Sequence, residues 1–375
     1  MSQINTYPMI SLTEASAAVM LYGVDITPTF ISEPGVGKTT VLRQTAINNG
    51  DKWRRPGDYF PDDKYVYVYF DCSSRDLPDV MMGVPVHEHK TIEGYVNEVF
   101  KINDPRPKVI MLDEIRKAPK ILQLIFSRLK LERYVGDNRL PDGSVVFCTS
   151  NNASDGVGDN TQAHDVNREQ YYKVMKPNHK QCAVWGGNNG VDPLLIGWAI
   201  MNPKAFASYM TCTAEELNTN PYIFNPNKPV QPFLSPRSWA KCTSAVRNRH
   251  IAGENLTRAA LCGTVGQAAG DSIMSYLSLS ADLHKFDDII ADPDNLSMPE
   301  KTAAIVQIVV NGVNSIETQD QLSRFIRYIK RCRHAELQSL FFTMVAKNDK
   351  TKMLANGNPD VQSWMVSNKN YELLI

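Results

Sequence analysis

The sequence predicts an α/β domain with a five-stranded parallel sheet, followed by an all-helical region. In the first half, five short apolar segments alternate with helical patterns, and each segment is followed by polar residues. In the second half, helical periodicity dominates and strand signals are few. Near-continuous apolar strands are typical of a parallel sheet that is covered by helices on both faces. We place the two domains at residues 1–185 and 186–375.

The predicted strands are short and end at polar residues. They comprise residues 30–31, 65–70, 109–112, 145–148 and 171–175. In open parallel sheets, ligands bind beyond the carboxyl ends of the strands. We therefore expect the functional site among the polar residues that follow these segments.

The second half contains candidate helices that begin mostly at proline or a polar cap. They comprise residues 193–201, 203–210, 236–248, 256–279, 299–313 and 319–347. Residues 218–236 carry five prolines and are predicted to form an extended connection.

Composition excludes several classes of protein. The chain has 375 residues, 43% of them hydrophobic, which excludes a disordered chain. Its 40 basic and 40 acidic residues give a net charge of zero, which argues against a globally basic nucleic-acid binder. Seven scattered cysteines without a Cys-x-x-Cys pair favour free thiols in a reducing compartment. The longest apolar stretch, residues 193–201, is too short for a membrane span, and the first residues do not resemble a secretory signal, so we expect a cytoplasmic protein without a membrane partner.

The strongest motif is SEPGVGKTT at residues 32–40, between a predicted strand and a predicted helix. It matches the phosphate-loop pattern G-x-x-x-x-G-K-[ST], except that Ser32 replaces the first glycine. The two glycines would let backbone N–H groups surround an anion. The residues predicted to contact a nucleotide are Glu33, Pro34, Gly35, Val36, Gly37, Lys38, Thr39 and Thr40.

A pair of carboxylates supplies the second half of this site. Asp113 and Glu114 follow the buried strand 109–112. Lys38 is expected to contact the β- and γ-phosphates, and the Thr39 hydroxyl and Asp113 to hold Mg²⁺. Glu114 is expected to polarise the attacking water.

These two motifs, in this order with another strand between them, resemble the AAA+ ATPases, and more specifically the MoxR branch and its relatives in bacteriophage genomes. Similar segments lie at residues 76–85, 114–119, 131–142, 148–151 and 235–237, so the resemblance covers roughly residues 10–250. It implies Mg²⁺-dependent ATP hydrolysis by an AAA+ domain, with an all-helical lid and a helical C-terminal extension. It also implies location in the host cytoplasm if the chain is viral.

The resemblance assigns further roles. Asn151 matches the sensor-1 position and would orient the attacking water, with Asn152 as the alternative. Arg237 matches the sensor-2 position at the start of a lid helix and would reach the γ-phosphate.

The arginine finger, which is donated to a neighbouring subunit, is assigned to Arg168. Arg133 and Arg128 are the alternatives. A finger donated in this way places the active site at a subunit interface, so the resemblance predicts a ring of identical subunits, as a hexamer.

The sequence leaves two classes of macromolecule as the client on which such a motor would act, protein and nucleic acid. Two predicted insertions, at residues 84–99 and 134–143, are not strongly basic, which favours a protein client. The first is predicted to be two-stranded with a turn near Glu93 and Gly94. The resemblance suggests a partner with a von Willebrand factor A domain.

Basic clusters at residues 52–55 and 324–333 leave a DNA-directed motor such as a helicase, loader or packaging accessory as the alternative. In the second cluster, Arg324, Arg327 and Arg331 share one predicted helix face. Apolar residues fill the other side, so the cluster can also be read as the solvated face of a lid helix. A non-hydrolysing scaffold is a third, minor possibility, against which the intact phosphate-loop and carboxylate motifs argue.

Overall fold

The computed structural model describes residues 7–50, 64–89, 91–152, 169–228, 231–278 and 284–367. The chain divides into two compact units, Met1–Lys176 and Pro177–Ile375. The predicted boundary at residue 185 falls inside a helix, His179–Asn188. This helix belongs to the second unit because its Cys182 is part of that unit's apolar core.

The first unit alternates strands and helices. Its described elements are β1 (Met9–Ile10), α1 (Leu12–Tyr22), β2 (Thr27–Ser32), α2 (Thr39–Asn48), β3 (Val66–Asp71), β4 (Met81–Val86), β5 (Thr91–Val96), β6 (Lys108–Asp113), α3 (Lys120–Glu132), β7 (Tyr134–Val135), β8 (Asn138–Arg139), β9 (Val145–Asn151) and β10 (Glu169–Val174).

The main sheet is parallel and has the spatial order β1-β10-β2-β9-β6-β3. This confirms the predicted α/β class, but the described sheet has six strands rather than five. The extra strand is β1, which pairs with the end of β10 at the sheet edge. Its two residues are too few to show a strand period in the sequence.

Apolar side chains cover both faces of this sheet. In β6, Val109 and Met111 belong to the core beneath α1 and α2. The alternating residues Ile110 and Leu112 belong to the core beneath α3. Successive side chains of a strand point to opposite faces, so a strand buried on both sides reads as a continuous apolar run.

The predicted excursion near residue 90 is a hairpin, but its turn was placed wrongly. Strands β4 and β5 are antiparallel, and Val86 is the partner of Thr91. The connection therefore lies between these two residues. Gly94 lies within β5, paired with Gly83, so the Glu-Gly pair was mistaken for a turn because glycine is frequent in turns.

The second unit is helical throughout its described part, as predicted. Its helices are α4 (His179–Asn188), α5 (Pro193–Met201), α6 (Ala214–Thr219), α7 (Pro236–Arg247), α8 (Arg249–Val265), α9 (Gln267–Ser278), α10 (Phe286–Ala291), α11 (Thr302–Ser315), α12 (Gln319–Lys330), α13 (Ala335–Lys347), α14 (Asp349–Ala355) and α15 (Pro359–Ser367).

Three of the predicted helices were too long. The candidate at 203–210 is only a short 3₁₀ turn, Pro203–Phe206. The candidate at 256–279 is interrupted at Gly266, whose φ is 87°. The candidate at 319–347 comprises α12 and α13, separated by residues 331–334. The helical spacing of apolar residues did not reveal these interruptions, because apolar residues occur on both sides of each break in the chain.

Helix α12 has the predicted two faces. Its apolar residues Leu322, Phe325, Ile326, Tyr328 and Ile329 are buried in one core of the second unit.

All seven cysteines of the chain are free, as expected, and burial raises the pKa of the Cys148 and Cys242 thiols to about 12. Within the described part of the chain, no helix combines the length and apolar character needed to cross a bilayer.

Lys130 and Glu169 form a buried ion pair that fixes the start of β10, with Nζ and Oε1 2.5 Å apart and both side chains 4% exposed. Replacing Lys130 with Met leaves a buried carboxylate without its cation, so we expect a loss of about 3–5 kcal/mol in the free energy of unfolding. Urea denaturation followed by circular dichroism measures it.

The matched control is Arg139→Met, which removes a cation from the exposed pair with Asp142, 3.0 Å apart. We expect it to cost less than about 1 kcal/mol. Equal losses in the two variants would contradict a stabilising role for the buried pair.

Candidate functional site

The phosphate-loop motif lies between β2, which ends at Ser32, and α2, which begins at Thr39. Within it, Gly35 has a φ of 76° and Gly37 a φ of 106°. Residues with a Cβ adopt such angles at a cost, so both positions favour glycine. The loop can therefore turn tightly into the N-terminus of α2, where the helix dipole favours an anion.

Ser32, which replaces the first glycine of the pattern, has a structural function here. It is fully buried, and its hydroxyl donates a hydrogen bond of 3.0 Å to the backbone carbonyl of Glu33. The departure from the pattern thus adds a contact that holds the entry of the loop. Val36, also buried, packs into the apolar core beneath α1 and α2.

Lys38, Asn151 and Glu114 converge at the carboxyl ends of the strands. The Lys38 ammonium donates to Asn151 Oδ1 at 2.5 Å and lies 3.5 Å from Glu114 Oε1. The parallel register pairs Ser32 with Asn151, and β9 lies between β2 and β6. Asn151 is therefore positioned between the loop and the acidic pair, and the lysine, 6% exposed, keeps polar partners on both.

Glu114 has an unusual backbone conformation for a residue that is not glycine. Its φ of 53° and ψ of 40° lie in the left-handed region, which costs about 1–2 kcal/mol. This turn ends β6 and starts the 3₁₀ helix Ile115–Lys117, which returns Lys117 Nζ to 3.3 Å from Glu114 Oε2. Backbone strain of this kind is concentrated at functional sites.

Asp113 is oriented by two hydroxyl groups that the sequence did not single out. Tyr69 donates to Asp113 Oδ2 at 2.9 Å, and Thr149 donates to Oδ1. The two donors lie on β3 and β9, the strands on either side of β6. They fix the carboxylate without adding charge. The only sequence signal was their place near the ends of predicted strands.

Thr39 and Asp113 are the residues that could hold Mg²⁺. Among the described residues, no group of three or more His, Cys, Asp and Glu side chains is arranged to hold a metal ion. Mg²⁺ is usually bound by one or two carboxylates together with substrate phosphates and water. The oriented Asp113 carboxylate fits an ion that arrives with a phosphate ligand, which the Thr39 hydroxyl would also contact.

The three arginines considered for the finger have different surroundings. Arg168 lies outside the described residues. Arg133 donates to the backbone carbonyls of Gly23, at 2.8 Å, and of Lys130, so its guanidinium is bound within its own chain. Arg128 is half-exposed and pairs with Glu132 at 3.1 Å.

The remaining predicted positions are locally well defined. Arg237 is exposed and is the second residue of α7, in the second unit. It follows the N-cap residue Ser235 by two positions. Asn152, the alternative to Asn151, is 9% exposed and follows β9. Pro34 and Thr40 are partly buried members of the loop and of α2.

No protein-family model matches the chain, and no curated protein matches it. Among solved structures, it is similar to the Thermotoga maritima RuvB Holliday junction branch migration motor, with 14% identity, 76% of this chain and 74% of that chain covered, and a TM-score of 0.33.

It is also similar to Hsp104 in a closed state with ATPγS and FITC casein (15% identity, 86% and 49% covered, TM-score 0.35) and to Aeropyrum pernix Orc1 in complex with DNA (12% identity, 91% and 81% covered, TM-score 0.35).

Gly37 offers a test of the loop as an anion site. A Cβ at this position would lie 3.3 Å from the Thr40 hydroxyl, and the φ of 106° is strained for alanine. We expect Gly37→Ala to weaken the binding of inorganic triphosphate with Mg²⁺ by about tenfold or more, since about 1–2 kcal/mol of strain acts on the loop itself. Isothermal titration calorimetry measures this affinity.

The control is Gly50→Ala. Gly50 also has a positive φ, 78°, but a Cβ there meets nothing within 4 Å. It should lower stability and leave triphosphate binding unchanged. Equal binding by both variants would refute the assignment.

Proposed function

We propose that this protein is a Mg²⁺-dependent AAA+ ATPase of the MoxR type that remodels a protein partner as a ring oligomer. The observation that carries the proposal is the convergence of Lys38, Asn151 and Glu114 beside a glycine-containing loop at a helix N-terminus. This arrangement combines a phosphate-binding cation, an amide that can position water and a carboxylate that can accept its proton.

The chemistry follows from the shared position of Lys38. When ATP binds, the ammonium exchanges its contacts with Asn151 and Glu114 for the β- and γ-phosphate oxygens. This exchange releases the amide and the carboxylate to hold a water molecule opposite the leaving group. Thr39 and Asp113 would hold Mg²⁺, which would supply positive charge against the phosphates. The loop residues from Glu33 to Thr40 enclose the phosphate chain.

The remaining roles are part of the same proposal. Arg237 contacts the γ-phosphate from the helical lid, and Arg168 is donated to the neighbouring subunit's nucleotide. ATP would then favour assembly, because a ligand stabilises the state that binds it better. We propose a hexameric ring in the cytoplasm, or in the host cytoplasm if the chain is viral.

Glu114→Gln tests the hydrolytic role. Removing the general base while keeping the side chain's shape should slow ATP turnover by about 10²- to 10⁴-fold and leave ATP binding intact. A coupled phosphate-release assay and a nucleotide-binding titration measure the two quantities. The control is Glu98→Gln, which removes an exposed carboxylate paired with Lys101. Normal turnover in the Glu114 variant would overturn the assignment.

The β4–β5 hairpin supports a protein client. Its side chains Met82, Ile92 and Tyr95 are 56%, 75% and 55% exposed. Met82 and Tyr95 are cross-strand partners on one face of the hairpin, whereas Ile92, the partner of Pro85, lies on the other face. Large exposed apolar side chains on one element are typical of segments that contact other proteins. A nucleic-acid surface would instead need basic residues.

The basic face of α12 gives little support to a nucleic-acid client, because its arginines have partners within the second unit. Arg324 pairs with Asp320 at 2.8 Å, and Arg327 with Asp294 at 3.1 Å. Arg331 donates to the carbonyls of Pro293 and Leu296, each at 2.8 Å. The acidic partners reduce the local positive potential that DNA would need. A protein with a von Willebrand factor A domain remains the proposed partner.

Ile92→Asp tests the hairpin as a client contact. We expect the wild-type ATPase rate to rise with reduced, carboxymethylated α-lactalbumin, an unfolded protein, and not with duplex DNA. In the variant, the half-saturating protein concentration should rise about tenfold or more, as for loss of an interface hot spot, with the basal rate unchanged.

Ile251→Asp is the control, because Ile251 is 90% exposed but lies in the second unit. Stimulation by DNA alone would favour the DNA-directed alternative. Equal effects of the two substitutions would exclude a specific role for the hairpin.

A further inference from the structure

A second buried ion pair joins the phosphate-loop motif to a residue outside it. Glu33, the first residue after β2, has its Oε2 3.9 Å from Lys176 Nζ. Both side chains are only 2% exposed. Lys176 follows β10 and is the last residue of the first unit. No phosphate-loop pattern includes a residue so distant in the sequence.

The sheet topology explains why these residues meet. Strands β10 and β2 are parallel neighbours, and Lys173 is the partner of Ile31. Continuing both strands by two or three residues brings Glu33 and Lys176 to the same carboxyl edge. The end of β10 is held there by a hydrogen bond of 2.9 Å from the Met175 N–H to the Ile10 carbonyl.

The negative charge of Glu33 lies in the loop that is proposed to bind phosphate groups. The loop is to receive a polyanion, yet it contains a buried carboxylate. Charges away from water interact more strongly and are screened less by salt than charges at the surface. An uncompensated Glu33 would therefore repel each phosphate group that enters the loop.

We propose that Lys176 is a positioning residue for the phosphate loop: it neutralises Glu33 and anchors that residue's side chain so that the loop accepts a polyphosphate. The Ser32 hydroxyl holds the backbone carbonyl of the same residue. The inference rests on the proposed nucleotide binding. Lys176 acts through Glu33, whereas Lys38 contacts the phosphates directly.

The test compares the dissociation constants of ATP, ADP and AMP, measured by competition against a fluorescent ATP analogue. Lys176→Gln should weaken ATP binding by about tenfold, ADP binding by less and AMP binding least, because the repulsion scales with phosphate charge. Lys176→Arg should bind like the wild type. The double variant Glu33→Gln/Lys176→Gln, which buries no unpaired charge, should regain most of the ATP affinity.

Lys173→Gln is the matched control on the same strand and should change none of the three constants. Glu33→Gln keeps the inference testable if the Lys176 variant does not fold. With the carboxylate gone and the cation retained, ATP should bind several-fold more tightly than to the wild type while AMP changes little.

Several outcomes overturn the inference. Equal weakening of all three nucleotides in Lys176→Gln would show a purely structural role, and so would a double variant as weak as the single one. Unchanged or weaker ATP binding by Glu33→Gln would also contradict it. A wild-type protein that binds no nucleotide would refute the proposed function itself, a result distinct from wild-type binding that Lys176→Gln leaves unaltered.

Discussion

The site depends on one ammonium group, that of Lys38, which is shared between Asn151 and Glu114. The sharing is possible because β9 lies between β2 and β6, so that three chain segments far apart in sequence end at one edge. A buried cation needs such partners, since its desolvation is otherwise too costly. The same contacts hold the amide and the carboxylate beside the loop, and in the proposed mechanism phosphate oxygens replace them.

Strand β10 is tied to its surroundings by buried charge at both ends. Glu169, its first residue, pairs with Lys130 and accepts a hydrogen bond from Thr29 on β2. Lys176, just beyond its last residue, pairs with Glu33 at the end of β2. Breaking either pair removes the opposite charge from a buried ionised group, so the relative position of these neighbouring strands is strongly specified. The phosphate loop begins at the end of β2, so the position of its first residues is specified by the same contacts.

The net charge of the chain is zero, and many of the opposite charges are also paired locally within each unit. In the first unit, buried lysines meet buried glutamates around the sheet. In the second, Arg324 and Arg327 of α12 pair with aspartates, and Arg331, which follows the helix, donates to a backbone carbonyl. The β4–β5 hairpin exposes the apolar side chains Met82, Ile92 and Tyr95. These observations support the proposed protein client over DNA.

The sequence alone predicts the α/β class, five of the six described strands of the main sheet, the helical second half and the candidate phosphate loop, because each leaves a local pattern of apolar runs, glycines and polar ends. It misplaced the β4–β5 turn and missed β1, since a lone glycine and two residues carry little local information. Only the tertiary structure brought Tyr69, Thr149 and Lys176 to the site, along strands whose order the sequence does not state. Their partners lie 36, 44 or more residues away along the chain, and no local pattern encodes a pairing over that distance.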